Sequence, residues 1–322
     1  MRILAIETSF DDTCVALLNN DKVMLNLQSS YPNLGLDPIA GSAFHFEQLP
    51  KLLKEIPEYD IISCTRGPGQ ALCLKQGWIL ANQLSKKLNK PLIGIHHMEA
   101  HCLSPMINNP NLKFPYLCFI GSGGHTQLVK VHSALNFELL SNCLDDAIGE
   151  AYDKTSRLFG VSTKDMCHRI YKRTTKIKIP QIMRNDKTGN FSFSGLKSAI
   201  RRFKELSLYE DEALMIAFQQ SALNHINRQI QTILAKTKVT AISAAGGAIM
   251  NPAIQDLLNL VGKNYKLPVF IPNAEYLTDN AAMIGFCAWL QINENRPYDE
   301  LNNWYFDKWD YNRVQQPQIN DI

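Results

Sequence analysis

Residues 2–27, RILAIETSFDDTCVALLNNDKVMLNL, read as strand (3–7), polar loop (8–13), strand (14–18), turn (19–22) and strand (23–27). Apolar, β-branched-rich runs broken by turn residues support each strand. Residues 115–140, PYLCFIGSGGHTQLVKVHSALNFELL, repeat the pattern: strand (116–120), loop (121–125), strand (126–131), turn (132–136) and strand (137–140). The same unit recurring about 113 residues on predicts an internal duplication. Helix-like stretches follow strands in both halves, 70–89 after 60–65 and 252–262 after 239–244. That alternation predicts α/β layers, with mixed sheets because the opening hairpins are antiparallel. The turn formers Asn108-Asn109-Pro110-Asn111 mark the expected joint, giving lobes 1–110 and 111–322.

The 322 residues suffice for two domains or one large one, and 45% apolar with 20% charged residues is ordinary for a globular protein. No uncharged apolar run reaches about 18 residues, so no membrane span is expected. Met1-Arg2 leads directly into a strand, so no signal or transit peptide is expected within this chain. The eight cysteines are scattered without a Cys-x-x-Cys, which excludes a zinc ribbon and a disulfide framework. Net charge is +3, unevenly spread. Between Lys164 and Lys204 twelve Lys/Arg face only Asp165 and Asp186, a net +10 that leaves −7 for the remainder. Such asymmetry fits a polyanion held through its phosphates, with a solvated helix face as the plainer alternative.

Ile95-His96-His97-Met98-Glu99-Ala100-His101 carries the clearest chemistry. His97 and His101 are four apart, so on a helix both imidazoles leave one face, close enough to grip one ion. Neutral imidazole suits zinc and iron. In a His-Glu-x-x-His metalloprotease the Glu follows the first His directly; here Met98 does, and Glu99 lies roughly 200° around the helix. A protease is therefore disfavoured, and a third ligand must come from elsewhere in the chain.

Three strands run into glycine-rich turns: Gly67-Pro68-Gly69, Gly121-Ser122-Gly123-Gly124-His125 and Gly246-Gly247. Backbone N–H groups there can approach an anion closely. None fits a P-loop or a dinucleotide fingerprint, but three such turns on a duplicated core favour a nucleotide held between two lobes. Asp11, Asp12 and Asp279 are the carboxylates best placed to join them, although each could equally be a turn or cap residue.

Together these pieces resemble the tRNA N6-adenosine threonylcarbamoyltransferase family, formerly described as O-sialoglycoprotein endopeptidases. The resemblance runs from Ile3 to about Leu290. It rests on Ile6-Glu7-Thr8-Ser9-Phe10-Asp11-Asp12-Thr13, Thr65-Arg66-Gly67-Pro68-Gly69, the His97/His101 stretch and Ser122-Gly123-Gly124-His125-Thr126. Asp145-Asp146-Ala147-Ile148-Gly149-Glu150-Ala151-Tyr152-Asp153-Lys154-Thr155, Phe191-Ser192-Phe193-Ser194-Gly195-Leu196-Lys197, Ala245-Gly246-Gly247 with Asn251, and Thr278-Asp279-Asn280-Ala281-Ala282-Met283 follow in order.

The resemblance implies an actin-like (ribonuclease-H-like), duplicated, two-lobed α/β fold. It implies one divalent metal per subunit, zinc or iron, on His97, His101 and Asp279. Substrate contacts would map to Ser122, Gly123, Gly124 and His125, with Asp153 and Asn251 reaching the ribose or base. The reaction would move a threonylcarbamoyl group from threonylcarbamoyl-AMP, supplied by a separate synthase, to N6 of adenosine 37 in tRNAs reading ANN codons. Asp11 is the candidate base, and the basic insert 164–204 would face the tRNA. A non-catalytic tRNA- or partner-binding scaffold and an actin-like ATPase are the alternatives, and a homodimer is one option for assembly. The aromatic tail from Asn302 to Ile322 could pack onto a lobe or serve that dimer.

Three departures from the family pattern stand out. Val161-Ser162-Thr163-Lys164-Asp165 stands where the family has a Tyr-Pro-Gly-Gly-Pro-like segment, so a ribose contact that the resemblance implies is lost or replaced. Phe10 stands where the family has Cys, and a Gly-Gly-x-x-Pro-Glu stretch is reduced to Gly35, Pro38 and His45. The pattern is most similar to the mitochondrial branch, which implies a mitochondrial location, with a cytoplasmic one as the alternative.

Overall fold

The computed structural model describes residues 1–32, 37–301 and 304–312, so Gly35 and the last ten residues lie outside the described residues. Strands β1 (Arg2–Glu7), β2 (Asp12–Asn19) and β3 (Lys22–Ser30) are followed by α1 (Pro38–Leu53), β4 (Ile61–Gly67), α2 (Ala71–Leu88), β5 (Leu92–His96) and α3 (His97–Leu103). The unit then repeats with β6 (Tyr116–Gly121), β7 (Thr126–Ser133) and β8 (Asn136–Ser141). Helices α4 (Ile148–Leu158), α5 (Thr163–Ile170), α6 (Ser194–Glu205) and α7 (Asp211–Leu234) precede β9 (Ile242–Ala245), α8 (Pro252–Tyr265), β10 (Val269–Phe270) and α9 (Ala281–Asn293).

The two sheets have one topology. The first runs β3-β2-β1-β4-β5 and the second, from its other edge, β8-β7-β6-β9-β10. In each, the opening strand pairs antiparallel with the next and parallel with the strand that follows the first helical stretch. The expected duplicated α/β architecture with mixed sheets is the one observed. A central strand covered on both faces reads as an unbroken apolar run, and β1 behaves so. Leu4 and Ile6 pack with Trp78 of α2, whereas Ala5, on the other face, meets Gly285 of α9.

The chain divides into Met1–Ile107 with Ser133–Phe137 and Asp279–Ile322, and Asn108–His132 with Glu138–Thr278. The first break falls beside the Asn-Pro turn. The expected second lobe over 111–322 does not hold, because α9 returns to the first unit. Residues Ala281 to Ala288 are buried on every side of that helix, which packs on β1 and β2. No helix among the described residues is long and apolar enough to cross a membrane. All eight cysteines are free.

Candidate functional site

In the first unit, the carboxyl ends of β1, β4 and β5 supply one polar cluster. Helix α3 starts at His97 because His96 caps it. His96 Nδ1 accepts from the backbone N–H of Met98 (3.2 Å) and Glu99 (3.3 Å). The ring proton therefore sits on Nε2, which donates to the Trp309 carbonyl at 2.9 Å. Asn280, not Asp279, caps α9 by accepting from Met283 N–H. That leaves the Asp279 carboxylate beside the two imidazoles, 3.0 Å from His101 Nε2 and 3.6 Å from His97 Nε2. Ligand atoms of His97, His101 and Asp279 all lie within 4.8 Å of one another.

This donor set fits a divalent ion. Tetrahedral bonds of about 2.0–2.1 Å put neighbouring ligand atoms about 3.3 Å apart, between the two distances to Asp279. His97 Nδ1 is taken up elsewhere, which leaves its Nε2 for the ion. The group that takes it is Glu7, a residue the sequence reading did not single out. Glu7 is buried at the end of β1, with Oε2 3.1 Å from His97 Nδ1. Thr65 donates its hydroxyl to Glu7, and so does the Ser9 N–H. Burial alone would raise the Glu7 carboxyl, but the charge and hydrogen bond of His97 hold it below the usual carboxylate range.

Burial would likewise lower His97, but the charges of Glu7 and Asp279 outweigh it and raise the imidazole to about 9. An incoming ion must displace that proton. Apparent metal affinity is therefore expected to climb about tenfold per pH unit from about pH 6.5 to 8.5, measured against a competing chelator. A flat profile would show that His97 binds the ion without losing a proton.

Asp11 follows β1 in the same unit. Its loop is braced by His45, which bridges the Thr13 hydroxyl (2.8 Å) and the Phe10 carbonyl (2.9 Å). Burial first, then the neighbouring Asp12 charge, raises Asp11 to about 6. Glu99 faces away from the ion ligands, accepting from Gln291 Nε2 (3.1 Å) and Asn312 N–H (2.9 Å). The protease arrangement is absent.

The Gly67-Pro68-Gly69 turn is not an anion cradle, contrary to the expectation for it. Gly69 N–H donates to the Asp307 carbonyl, and Phe306 N–H to the Arg66 carbonyl. A side chain at Gly67 would sit 2.1 Å from the Phe306 carbonyl oxygen. These glycines admit the protein's own C-terminal segment. Residues 304–312 lie along the first unit, with Tyr311 stacked on His96 at 5.2 Å. The described part of the aromatic tail, residues 304–312, thus packs onto a lobe, and the rest of it lies outside the described residues.

In the second unit the other two glycine turns meet at the carboxyl ends of the parallel strands β6 and β9. A Cβ at Gly246 would fall 2.3 Å from the Gly121 carbonyl oxygen. The loop 122–125 closes on itself: Ser122 N–H donates to the His125 carbonyl and His125 N–H to Ser122 Oγ. Gly123 and Gly124 are exposed, nothing lies within 4 Å of a Cβ built on either, and their N–H groups have no partner among the described residues. Gly247 N–H, at the start of the short helical turn Gly247–Met250, likewise has no backbone partner among the described residues, so both turns of the second unit offer donors to an anion.

Asp153 and Asn251 are partly committed within the protein. Asn251 Oδ1 caps α8 through Ala253 N–H, and its Nδ2 donates to Gln219. The segment without the Pro-Gly-Gly starts α5 instead. Ser162 caps that helix through Asp165 N–H, and Thr163 donates to Asp153 Oδ1 at 2.5 Å. The basic window is divided too. Arg169 and Arg173 pair with Glu212, Lys197 with Asp146, Arg201 with Glu205, and Lys204 with Asp211.

Residues 35–286 match the family model TsaD, tRNA N6-adenosine threonylcarbamoyltransferase. The tRNA N6-adenosine threonylcarbamoyltransferase of Buchnera aphidicola subsp. Acyrthosiphon pisum is 36% identical over 319 residues, 92% of this chain and 94% of the relative. That of Thermotoga neapolitana is 34% identical over 301 residues, 88% and 92% of the two chains. Among solved structures, T. kodakarensis HypF is similar with a TM-score of 0.62 at 13% identity, over 91% of this chain and 48% of that one. The Acidaminococcus fermentans (R)-2-hydroxyglutaryl-CoA dehydratase component A gives 0.58 at 12% identity, over 91% and 99%. These two likenesses bear on the fold alone, which is the expected actin-like α/β fold. With a family model and relatives matching over most of its length, this chain belongs to the tRNA N6-adenosine threonylcarbamoyltransferase family.

Proposed function

We propose that this chain transfers the threonylcarbamoyl group of threonylcarbamoyl-AMP to N6 of adenosine 37 in tRNAs reading ANN codons. The observation that carries this reading is the His97, His101 and Asp279 cluster in a member of that family. A divalent ion held there, zinc or iron, would supply Lewis-acid polarisation of the carbonyl under attack. The attacking N6 forms a bond to the carbamoyl carbon, the bond from that carbon to the phosphate oxygen breaks, and AMP leaves. The Gly123 and Gly124 N–H groups are suited to take the charge on the departing phosphate. Ser122 and His125 shape that turn. Asp153, through its second carboxylate oxygen, and Asn251 are the remaining candidates for contact with the nucleotide. Threonylcarbamoyl-AMP would come from a separate synthase.

Asp11, poised near neutrality, would accept the proton that N6 loses. The rate is expected to fall about tenfold per pH unit below an acid limb at or below about pH 6, where Asp11 becomes protonated. Asp11→Asn should lower the rate about a hundredfold or more and erase that limb. A variant that keeps the limb would remove Asp11 from proton transfer.

AMP release that depends on tRNA, followed by chromatography, tests the reading as a whole. Release without tRNA would favour an actin-like hydrolase, though such an enzyme has no use for two His and an Asp together. As part of the same proposal, Val161-Ser162-Thr163-Lys164-Asp165 in place of the glycine segment supports the mitochondrial branch. Imaging the tagged full-length protein in its own cells tests that location.

A further inference from the structure

The ion pairs leave seven of the twelve cations of the basic window without a carboxylate among the described residues, and two of these seven line a common groove. Lys176 and Lys178 have no acid within ion-pair distance among the described residues, and both are exposed. They lie on the segment 175–182, which forms neither helix nor strand and runs beside α7. Ile177, Ile179 and Ile182 turn inward and join the hydrophobic core of the second unit. Lys176 and Lys178, which alternate with Ile177 and Ile179 along the chain, stay exposed and line the groove beside α7. Thr175 N–H donates to Gln220, and Arg228 of α7 donates to the Ile182 carbonyl, which pins the segment at both ends.

Between this segment and α7 lies a groove of about 640 Å³. Lys176, Lys178 and Arg228 line it together with the amides of Gln181, Gln220 and Asn224, and no acidic residue does. Arg228 Nε is buried there without a hydrogen-bond partner. Fixed cations placed beside amide groups suit a sugar-phosphate strand. The cations neutralise phosphates, and the amides can bond 2′-hydroxyls and base edges. We infer that this groove, rather than the basic window as a whole, docks the backbone of the RNA substrate through Lys176 and Lys178. The inference rests on the tRNA reading above and narrows it to one surface.

The test is the binding of labelled, unmodified tRNA transcript to the full chain, read by fluorescence anisotropy across a salt series. Lys176→Glu with Lys178→Glu is compared with Lys86→Glu with Lys87→Glu, an exposed pair at the end of α2. The groove pair should weaken binding about tenfold or more at low salt. It should also reduce the slope of log Kd against log salt by roughly 1.4–1.8, the loss of two phosphate contacts. The α2 pair should shift both quantities far less, and metal content and melting temperature should stay as in the unaltered protein. Unchanged affinity in the groove variant, or an equal loss from both pairs, would overturn the groove as the docking surface. If the unaltered chain binds no tRNA, the tRNA reading falls and the groove assignment with it.

Discussion

His97→Ala and Asp279→Ala are each expected to empty the metal site and abolish threonylcarbamoyl transfer. Each removes one of three candidate ligands whose ligand atoms lie within 4.8 Å of one another. An ion bound by two ligands loses most of its affinity, and with it the several kcal/mol of charge stabilisation that a Lewis acid gives a carbonyl. That is about a thousandfold or more in rate. The fold should survive, because the cores are built elsewhere, around Leu4, Ile6 and Trp78 in the first unit. Elemental analysis, circular dichroism and single-turnover kinetics on each variant check this. Full metal content and full activity in either variant would remove the cluster from the chemistry.

Glu7→Gln should weaken metal binding about 10–100-fold, the usual cost of losing a carboxylate behind a ligating histidine. Glu7 accepts from Thr65 and from Ser9 N–H while facing His97 Nδ1 at 3.1 Å, so it fixes which ring nitrogen is left for the ion. Glutamine preserves the shape but not the charge, and an amide turned the wrong way presents a donor to the ring. Removing the charge should also lower His97 from about 9 towards the ordinary range, because the Glu7 charge is the largest influence raising it. The pH dependence of metal affinity should then flatten between about pH 7 and 9. Chelator competition across that range reads both effects together. Loss of affinity with an unaltered pH slope would mean that Glu7 acts by packing alone.

The duplicated core was legible because two stretches carry the same apolar runs and turns, and local periodicity is what a sequence displays most directly. The His pair was legible for a similar reason, since a spacing of four on a helix fixes a shared face. What escaped depended on partners distant in sequence. Glu7 ends a buried strand, and nothing nearby distinguishes it from an acid facing water. Its partners Thr65 and His97 are 58 and 90 residues away. The Gly67-Pro68-Gly69 turn has the composition of an anion cradle, but the groups that fill it come from Phe306 and Asp307. Helix α9 is apolar on all sides, a pattern that announces burial without saying against which sheet. The basic window promised one uniform surface because the acids that divide it, Asp146, Glu205, Asp211 and Glu212, lie outside it.

The most direct test is a single-turnover reaction of the purified, metal-loaded chain with threonylcarbamoyl-AMP and unmodified tRNA reading ANN codons, digested and read by nucleoside mass spectrometry. A threonylcarbamoyladenosine peak from position 37, absent with His97→Ala, is the predicted result. No peak, with metal bound, would contradict the assignment of this chain as the transferase.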